Sequence, residues 1–213
     1  MGSVAITKVE QPKSFKFSKA NMEKIEQILA KYPSNQKNSA VMPLLDLAQR
    51  QSGGWIPEVA MEEIGRILDM PRIKVFEVAT FYTMYNLAPV GKYLIQLCTT
   101  TPCWLCGSGD IVKACEDHLK IKVGETSKDG MFTLVEVECL GACVNAPMIQ
   151  VNDDYYEDLT PESMVQLLKD FAEGESTHIG SQTGRQGSCA LAGPTSLEEQ
   201  AKKAKIEMAE ASE

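Results

Sequence analysis

Six of the seven cysteines lie between positions 98 and 143, and they are the residues with the most chemistry to offer. Four residues separate Cys98 from Cys103, and three separate Cys139 from Cys143. Thiolates are soft metal ligands and strong nucleophiles, so cysteines clustered in a long chain read as ligands or redox thiols. Three chemistries compete for them. Two pairs of thiolates suit a [2Fe–2S] cluster with one pair on each iron. The plant-type spacing C-x4-C-x2-C…C is also met, by Cys98, Cys103, Cys106 and Cys139, which would make Cys106 a ligand and Cys143 spare. The second chemistry is a thioredoxin-like dithiol, Cys103-Trp104-Leu105-Cys106, with Pro147 placed before a strand as the proline facing such a site would be. The third is a structural zinc site with four cysteine ligands, since both pairs have suitable gaps. A four-thiolate [2Fe–2S] cluster carries a formal charge of about −2 oxidised and −3 reduced, and needs backbone N–H donors close to its sulfurs. The loops Thr99-Thr100-Thr101-Pro102 and Leu140-Gly141-Ala142 are small enough to bring them there.

The rest of the composition narrows the field. The chain has 213 residues, 44% apolar and 23% charged, which fits a folded globular protein and argues against wholesale disorder. A secreted disulfide scaffold is usually short and even in cysteine count; this chain is neither. A net charge of −8 without a basic stripe argues against nucleic acid as the main ligand. No run of 18 apolar residues is present to span a bilayer. The first twenty residues, with Lys8, Lys13, Lys16 and Lys19 but no Arg, match neither a good signal peptide nor a typical transit peptide. The two histidines, His118 and His178, stand outside the cysteine loops, so a Rieske centre is excluded. Gly107-Ser108-Gly109 lacks the third glycine of a dinucleotide fingerprint. Asp153-Asp154 and Glu157-Asp158 read as solvated turn and helix-start residues, not as acid–base machinery.

Positioning such loops requires a framework. Four short amphipathic helices are expected first: one capped by Ser18, one capped by Ser39 and stopped at Gly53-Gly54, and two opened by Pro57 and Pro71. Their apolar stripes, including Val75, Val78, Phe81 and Tyr82 on the fourth, are expected to form a bundle core. After the turn at Ala88-Pro89-Val90-Gly91 the pattern changes. A strand over 93–97 runs into Cys98, a loop follows, and a helix over about 108–119 buries Ile111, Val112, Cys115 and Leu119. A strand over 131–138 leads to the second cysteine loop, a strand over 148–151 follows, and Thr160 caps a last helix. The expected fold is therefore α+β: a helical domain over 1–87, a thioredoxin-like α/β layer over 88–174, and an extended tail over 175–213. The tail is rich in Gly, Ser, Thr and Gln, and is expected to make few contacts with its own domain. Ser196 and Glu199 could box a short polar helix near its end.

The words around the cysteines carry more than their spacing. Cys98-Thr99-Thr100-Thr101-Pro102-Cys103 and Glu138-Cys139-Leu140-Gly141-Ala142-Cys143-Val144-Asn145-Ala146-Pro147-Met148 closely resemble the NuoE family. This is the 24-kDa [2Fe–2S] subunit (flavoprotein 2) of respiratory complex I, NADH:ubiquinone oxidoreductase. Gly53-Gly54-Trp55-Ile56-Pro57-Glu58, Val78-Ala79-Thr80-Phe81-Tyr82-Thr83 and Tyr155-Tyr156-Glu157-Asp158-Leu159-Thr160 resemble it too, and the likeness covers about residues 15–196. The resemblance implies a helical domain followed by a thioredoxin-like [2Fe–2S] ferredoxin domain, with Cys98, Cys103, Cys139 and Cys143 as the four ligands. It implies an electron-transfer subunit that is not catalytic alone, docked with other peripheral-arm subunits on a larger flavoprotein subunit that binds FMN and NADH. The location implied is the matrix face of the mitochondrial inner membrane, or the bacterial cytoplasmic face. The alternatives are a thioredoxin-like thiol–disulfide oxidoreductase using Cys103 and Cys106, or the equivalent subunit of an NAD-linked hydrogenase or formate dehydrogenase. Cys106 departs from the family's pattern and is read as a free thiol near the cluster. The stretch from Gly187 to Leu197 resembles mitochondrial members and puts Cys189 in an arm on the partner.

Overall fold

The structure, a computed structural model, describes residues 9–189 and 196–204. The chain divides into two compact units, with the change between Lys92 and Tyr93.

The first unit holds α1 (Lys19–Leu29), α2 (Val41–Gln51), α3 (Glu58–Leu68) and α4 (Arg72–Phe81). Ser18 caps α1 as expected, its side chain accepting from the Asn21 N–H at 3.2 Å. Pro57 and Pro71 stand just before α3 and α4, where a fixed φ and a missing N–H cost nothing. Ser39 does not cap α2: residues Lys37–Ala40 form a 3₁₀ turn that runs directly into the helix and supplies its entry. The core gathers Ile25, Leu44, Leu45, Ile64 and Val75 around Tyr85, whose hydroxyl donates to the Met42 carbonyl at 2.9 Å. Each fully buried aliphatic side chain contributes about 1.5–3 kcal/mol. The fourth stripe departs from expectation. Only Val75 and Ala79 of α4 are buried, while Phe81 is 77% exposed and Tyr82 is exposed beside it. Phe81 stands two residues after buried Ala79, about 200° round the helix and so on its opposite face, and α4 ends there with Tyr82 already extended.

The second unit is a five-stranded sheet in the order β2-β1-β3-β4-β5. Its strands are β1 (Tyr93–Cys98), β2 (Phe132–Val137), β3 (Ile149–Val151), β4 (Asp154–Glu157) and β5 (Gly180–Ser181). β1 runs parallel to β2 and antiparallel to β3; β3 and β4 form a hairpin; β5 lies parallel to β4. Between β1 and β2, and after β4, come two long helices, α6 (Ser108–Leu119) and α7 (Pro161–Glu173). They bury Ile111, Cys115, Met164 and Leu168 against Ile95, Leu97, Leu134 and Ile149. Thr160 and Ser163 close a reciprocal capping box on α7. Cys115 is a core residue, its thiol pushed up to about 12 by burial.

Two features of the second unit also differ from the reading of the sequence. The stretch after Cys98 contains a five-residue helix, α5 (Thr101–Leu105), where a loop was expected. A single turn is too short to show a period. The second difference concerns the tail. Residues 177–189 dock on their own unit instead of avoiding it: β5 pairs with β4, Tyr156 and Thr177 share a hydrogen bond at 2.8 Å, and Arg185 pairs with Asp158 at 3.0 Å. Polar contacts order this segment where apolar burial could not. A last helix, α8 (Glu198–Ala204), falls where a polar helix was expected, and residues 190–195 and 205–213 of the expected tail lie outside the described residues. None of the described helices is long and apolar enough to cross a membrane.

Candidate metal centre

Strand alternation builds the site. Ile95 and Leu97 of β1 face the helices, so Cys98, one residue on, faces the opposite side of the sheet. Met148 and Tyr155 share that side by the same alternation on β3 and β4. There Cys98, Cys103 and Met148 form a small buried cluster of their own, with Leu140, Ala142 and Tyr155 packed against it. Register brings the second loop to the same edge. Cys98 pairs with Val137 across the parallel β1–β2 ladder, and Cys139 follows two residues later. The loop after each strand therefore meets the other at one end of the sheet.

The two loops brace each other through their sulfurs. Thr100 is the N-cap of α5, yet its side chain makes no capping bond; its hydroxyl instead lies 3.4 Å from Cys98 Sγ and also bonds Cys139. In return the Leu140 N–H of the second loop donates to Cys98. Burial pushes the Cys98 thiol up, but the Thr100 hydroxyl, the Leu140 and Thr100 N–H groups and Cys103 together hold it below the ordinary thiol range. Cys103 is pushed up to about 12 by burial and by neighbouring Cys98, against a hydrogen bond from the Met148 backbone. The Gly141 N–H, the Cys143 thiol and the Thr100 hydroxyl lower Cys139, whereas Cys143 is raised by sharing its proton with Cys139. Gly141 reaches that position with φ of +89°, a conformation glycine adopts without strain. Tyr155 closes the second loop, its hydroxyl donating to the Leu140 carbonyl at 2.8 Å.

The thiols thus meet as two pairs. Cys139 Sγ and Cys143 Sγ are 3.4 Å apart. Two thiolates on one tetrahedral ion at about 2.3 Å stand roughly 3.8 Å apart, so little movement is needed for them to share a metal. Cys143 acts on Cys103 electrostatically, which links the pairs. Among the described residues no three His, Cys, Asp or Glu side chains gather where one ion could hold them. Two pairs of thiols with backbone and hydroxyl donors aimed at them have the soft donors and the hydrogen bonds that a four-thiolate [2Fe–2S] cluster needs.

Comparison with known proteins identifies the family. Residues 25–172 match the thioredoxin-like [2Fe–2S] ferredoxin family. The chain is 59% identical over 155 residues to an NADH-quinone oxidoreductase subunit of Rickettsia bellii, covering 73% of this chain and 93% of that one. The chain belongs to the NuoE family of thioredoxin-like [2Fe–2S] ferredoxins. It is also 53% identical over 183 residues to the mitochondrial NADH dehydrogenase [ubiquinone] flavoprotein 2 of Dictyostelium discoideum, covering 86% of this chain and 74% of that one. A crystal structure of NAD+-reducing [NiFe]-hydrogenase shares the fold at a TM-score of 0.56 and 16% identity, over 64% of this chain and 23% of that one.

Within this NuoE fold, Cys98, Cys103, Cys139 and Cys143 are the cysteines the structure brings together. Cys106 is exposed at the C-terminal end of α5 and takes no part in the interactions among the four. Cys189 is exposed on the docked segment, and His118 sits in the last turn of α6. Thr100, Tyr155 and Asn145 act on the loops and were not singled out by the sequence. Thr100 lay in plain view between the first two cysteines; Asn145 and Tyr155 lay within stretches that resemble the family, with nothing there to show which groups they bond.

Proposed function

We propose that this chain is the electron-transfer subunit of an NADH dehydrogenase of the complex I type, holding one [2Fe–2S] cluster on Cys98, Cys103, Cys139 and Cys143. The observation that carries this is the meeting of two cysteine pairs from two strand-end loops, each loop donating hydrogen bonds to a sulfur of the other. A [2Fe–2S] cluster accepts and returns a single electron. This chain's part is to bind the sulfurs, neutralise their charge with N–H and O–H donors, and shield the Cys98–Cys103 side from water. The exposed Cys139–Cys143 side is where an electron enters and leaves. The partner is a larger subunit carrying FMN and NADH, with this cluster close to the flavin and other peripheral-arm subunits around it. The place is the matrix face of the mitochondrial inner membrane, or the cytoplasmic face in a bacterium. The chain is not catalytic by itself.

A thioredoxin-like role for Cys103 and Cys106 runs against the structure. An attacking thiol must be exposed and easily ionised. Cys103 is buried with its thiol pushed up to about 12, and only Cys106 is exposed. Purification without oxygen, followed by visible absorption and reduced-state EPR, tests the proposal. A red-brown protein with one two-iron signal is expected. A colourless protein with a readily formed Cys103–Cys106 disulfide would reject it.

A further inference from the structure

The segment after α7 contacts the very loop that carries the exposed cysteines. The 3₁₀ turn Cys143–Asn145 begins on one of those cysteines and ends on Asn145, which is buried. Asn145 is a polar hub. Its Nδ2 donates to Glu157 and, at 2.7 Å, to the Gly187 carbonyl; its own backbone carbonyl accepts from the Asp158 N–H at 2.8 Å. Arg185 completes the arrangement. Its guanidinium pairs with Asp158 at 3.0 Å and extends Nη1 toward the Val144 carbonyl and Asn145 Oδ1, each at 3.4 Å. The side chains of Arg185 and Asp158 are only 15% and 8% exposed, so this pair is held out of water. Ser181 of β5 donates to the same Asp158 carboxylate at 2.6 Å. A hollow of about 390 Å³ lies between the cysteine loop and this segment, with Leu140, Ala142 and Tyr155 on one wall and Gly187 on the other.

We propose that residues 177–189 are a strap that fixes the Cys139–Cys143 loop, and that Arg185 is a positioning residue for Cys143. The inner cysteines need no such device, because the packing around Met148 immobilises them. The outer loop is packed on one side only: Leu140 and Ala142 lie against the buried cluster, while Val144 and both of the loop's cysteines are exposed. Its outer end, Cys143–Asn145, is held to the strap by polar contacts, from Asn145 to Gly187 and from Arg185, which joins that end to Asp158 as well. The guanidinium also balances the buried Asp158 carboxylate beside the loop, so removing it leaves an unpaired negative charge there, which disfavours the reduced state. Arginine suits this role better than lysine, since its planar fork can address a carboxylate and a carbonyl at once.

The inference rests on the four-cysteine cluster proposed above, and its test separates the two. The full-length wild-type chain, Arg185→Met and Arg185→Lys are reconstituted with ferrous iron and sulfide. Release of iron to a chelator, the reduced-state EPR spectrum and the midpoint potential are then measured, with circular dichroism to confirm folding. Arg66→Met, which breaks an exposed ion pair in the helical unit, is the control. Arg185→Met, which keeps the aliphatic bulk, is expected to lose iron on the order of tenfold faster, with an altered EPR spectrum and a lower potential. Lysine should restore the potential and only part of the retention. A wild-type release rate in Arg185→Met overturns the strap. Faster release with unchanged EPR and potential overturns the positioning role. Should Arg185→Met not fold, Arg185→Lys carries the test, and a wild-type release rate there overturns the strap. Absence of a two-iron spectrum in the wild-type chain removes the cluster assignment and this inference with it, an outcome distinct from a silent mutation.

Discussion

The two cysteine loops perform one task by different physics. The first is short, helical and buried: Cys98 and Cys103 sit in an apolar cluster with Met148, and α5 turns Trp104, 66% exposed, and Leu105 outward to leave only Cys103 inside. The second is open, carries both cysteines at the surface, and is tied down by hydrogen bonds from Tyr155, from Asn145 and from the strap. Packing dominates in the first, and specific polar partners at the outer end of the second. Packing fixes a residue from all sides and tolerates no gap, whereas a hydrogen bond fixes one atom and can be removed singly. The buried side of the site should therefore fail through lost volume, and the exposed side through lost contacts.

The largest effect expected is loss of the centre itself. Changing any of Cys98, Cys103, Cys139 or Cys143 to Ser should abolish or badly weaken the two-iron spectrum, and the same loss should loosen both loops, because ligation releases its energy only in the folded site. An intact spectrum in Cys143→Ser would transfer the fourth ligand to Cys106. Next comes the reactivity of the metal-free thiols. Cys139 is exposed and lowered, while Cys103 is buried and pushed up to about 12. Labelling by iodoacetamide near neutral pH should modify Cys139 faster by at least about a hundredfold. Its rate should level off below the ordinary thiol range, and that of Cys103 should still be climbing toward pH 12. Equal rates would erase the contrast between the loops.

Smaller effects separate packing from hydrogen bonding. Met148→Ala opens a cavity against Cys98 and Cys103 and should cost about 2–5 kcal/mol of unfolding free energy, read by denaturant titration of the metal-free protein. Tyr155→Phe removes one hydrogen bond to the Leu140 carbonyl and should cost about 1 kcal/mol, seen as faster amide exchange in the second loop and not in α5. The least effect is expected at Cys106, which is exposed and apart from the four. Cys106→Ser should leave the visible and EPR spectra nearly unchanged; loss of the two-iron signal there would replace the ligand set.

Periodic features of the fold were legible in the sequence, and single contacts were not. Ser18, Pro57, Pro71 and Thr160 announced their helices because capping chemistry is local and residue-specific. The strands ending at Cys98 and before Cys139 announced themselves by their apolar runs. Ser39 misled because it sits inside a 3₁₀ turn, and no one-dimensional pattern distinguishes that from a cap. Phe81 shows the limit of an apolar stripe: a helix can carry a ring at a helical interval and still face it outward. Arg185 was invisible for a deeper reason. Its partners Asp158 and Val144 lie far away in sequence, and a lone arginine in a polar stretch looks solvated until the fold closes around it.

The pairing of β1 with β2 has a consequence for the order of events as the chain folds. The β3–β4 hairpin is local and can form early, whereas β1 and β2 run parallel and are joined through α5, α6 and the turns beyond. Until that non-local ladder forms, Cys98 and Cys103 belong to one stretch of chain and Cys139 and Cys143 to another. A metal ion arriving early meets at most two of the four proposed ligands at a time. Insertion of the proposed cluster would therefore be gated by a folding step, and the rate at which β1 finds β2 would set the earliest moment at which the proposed four-cysteine set exists.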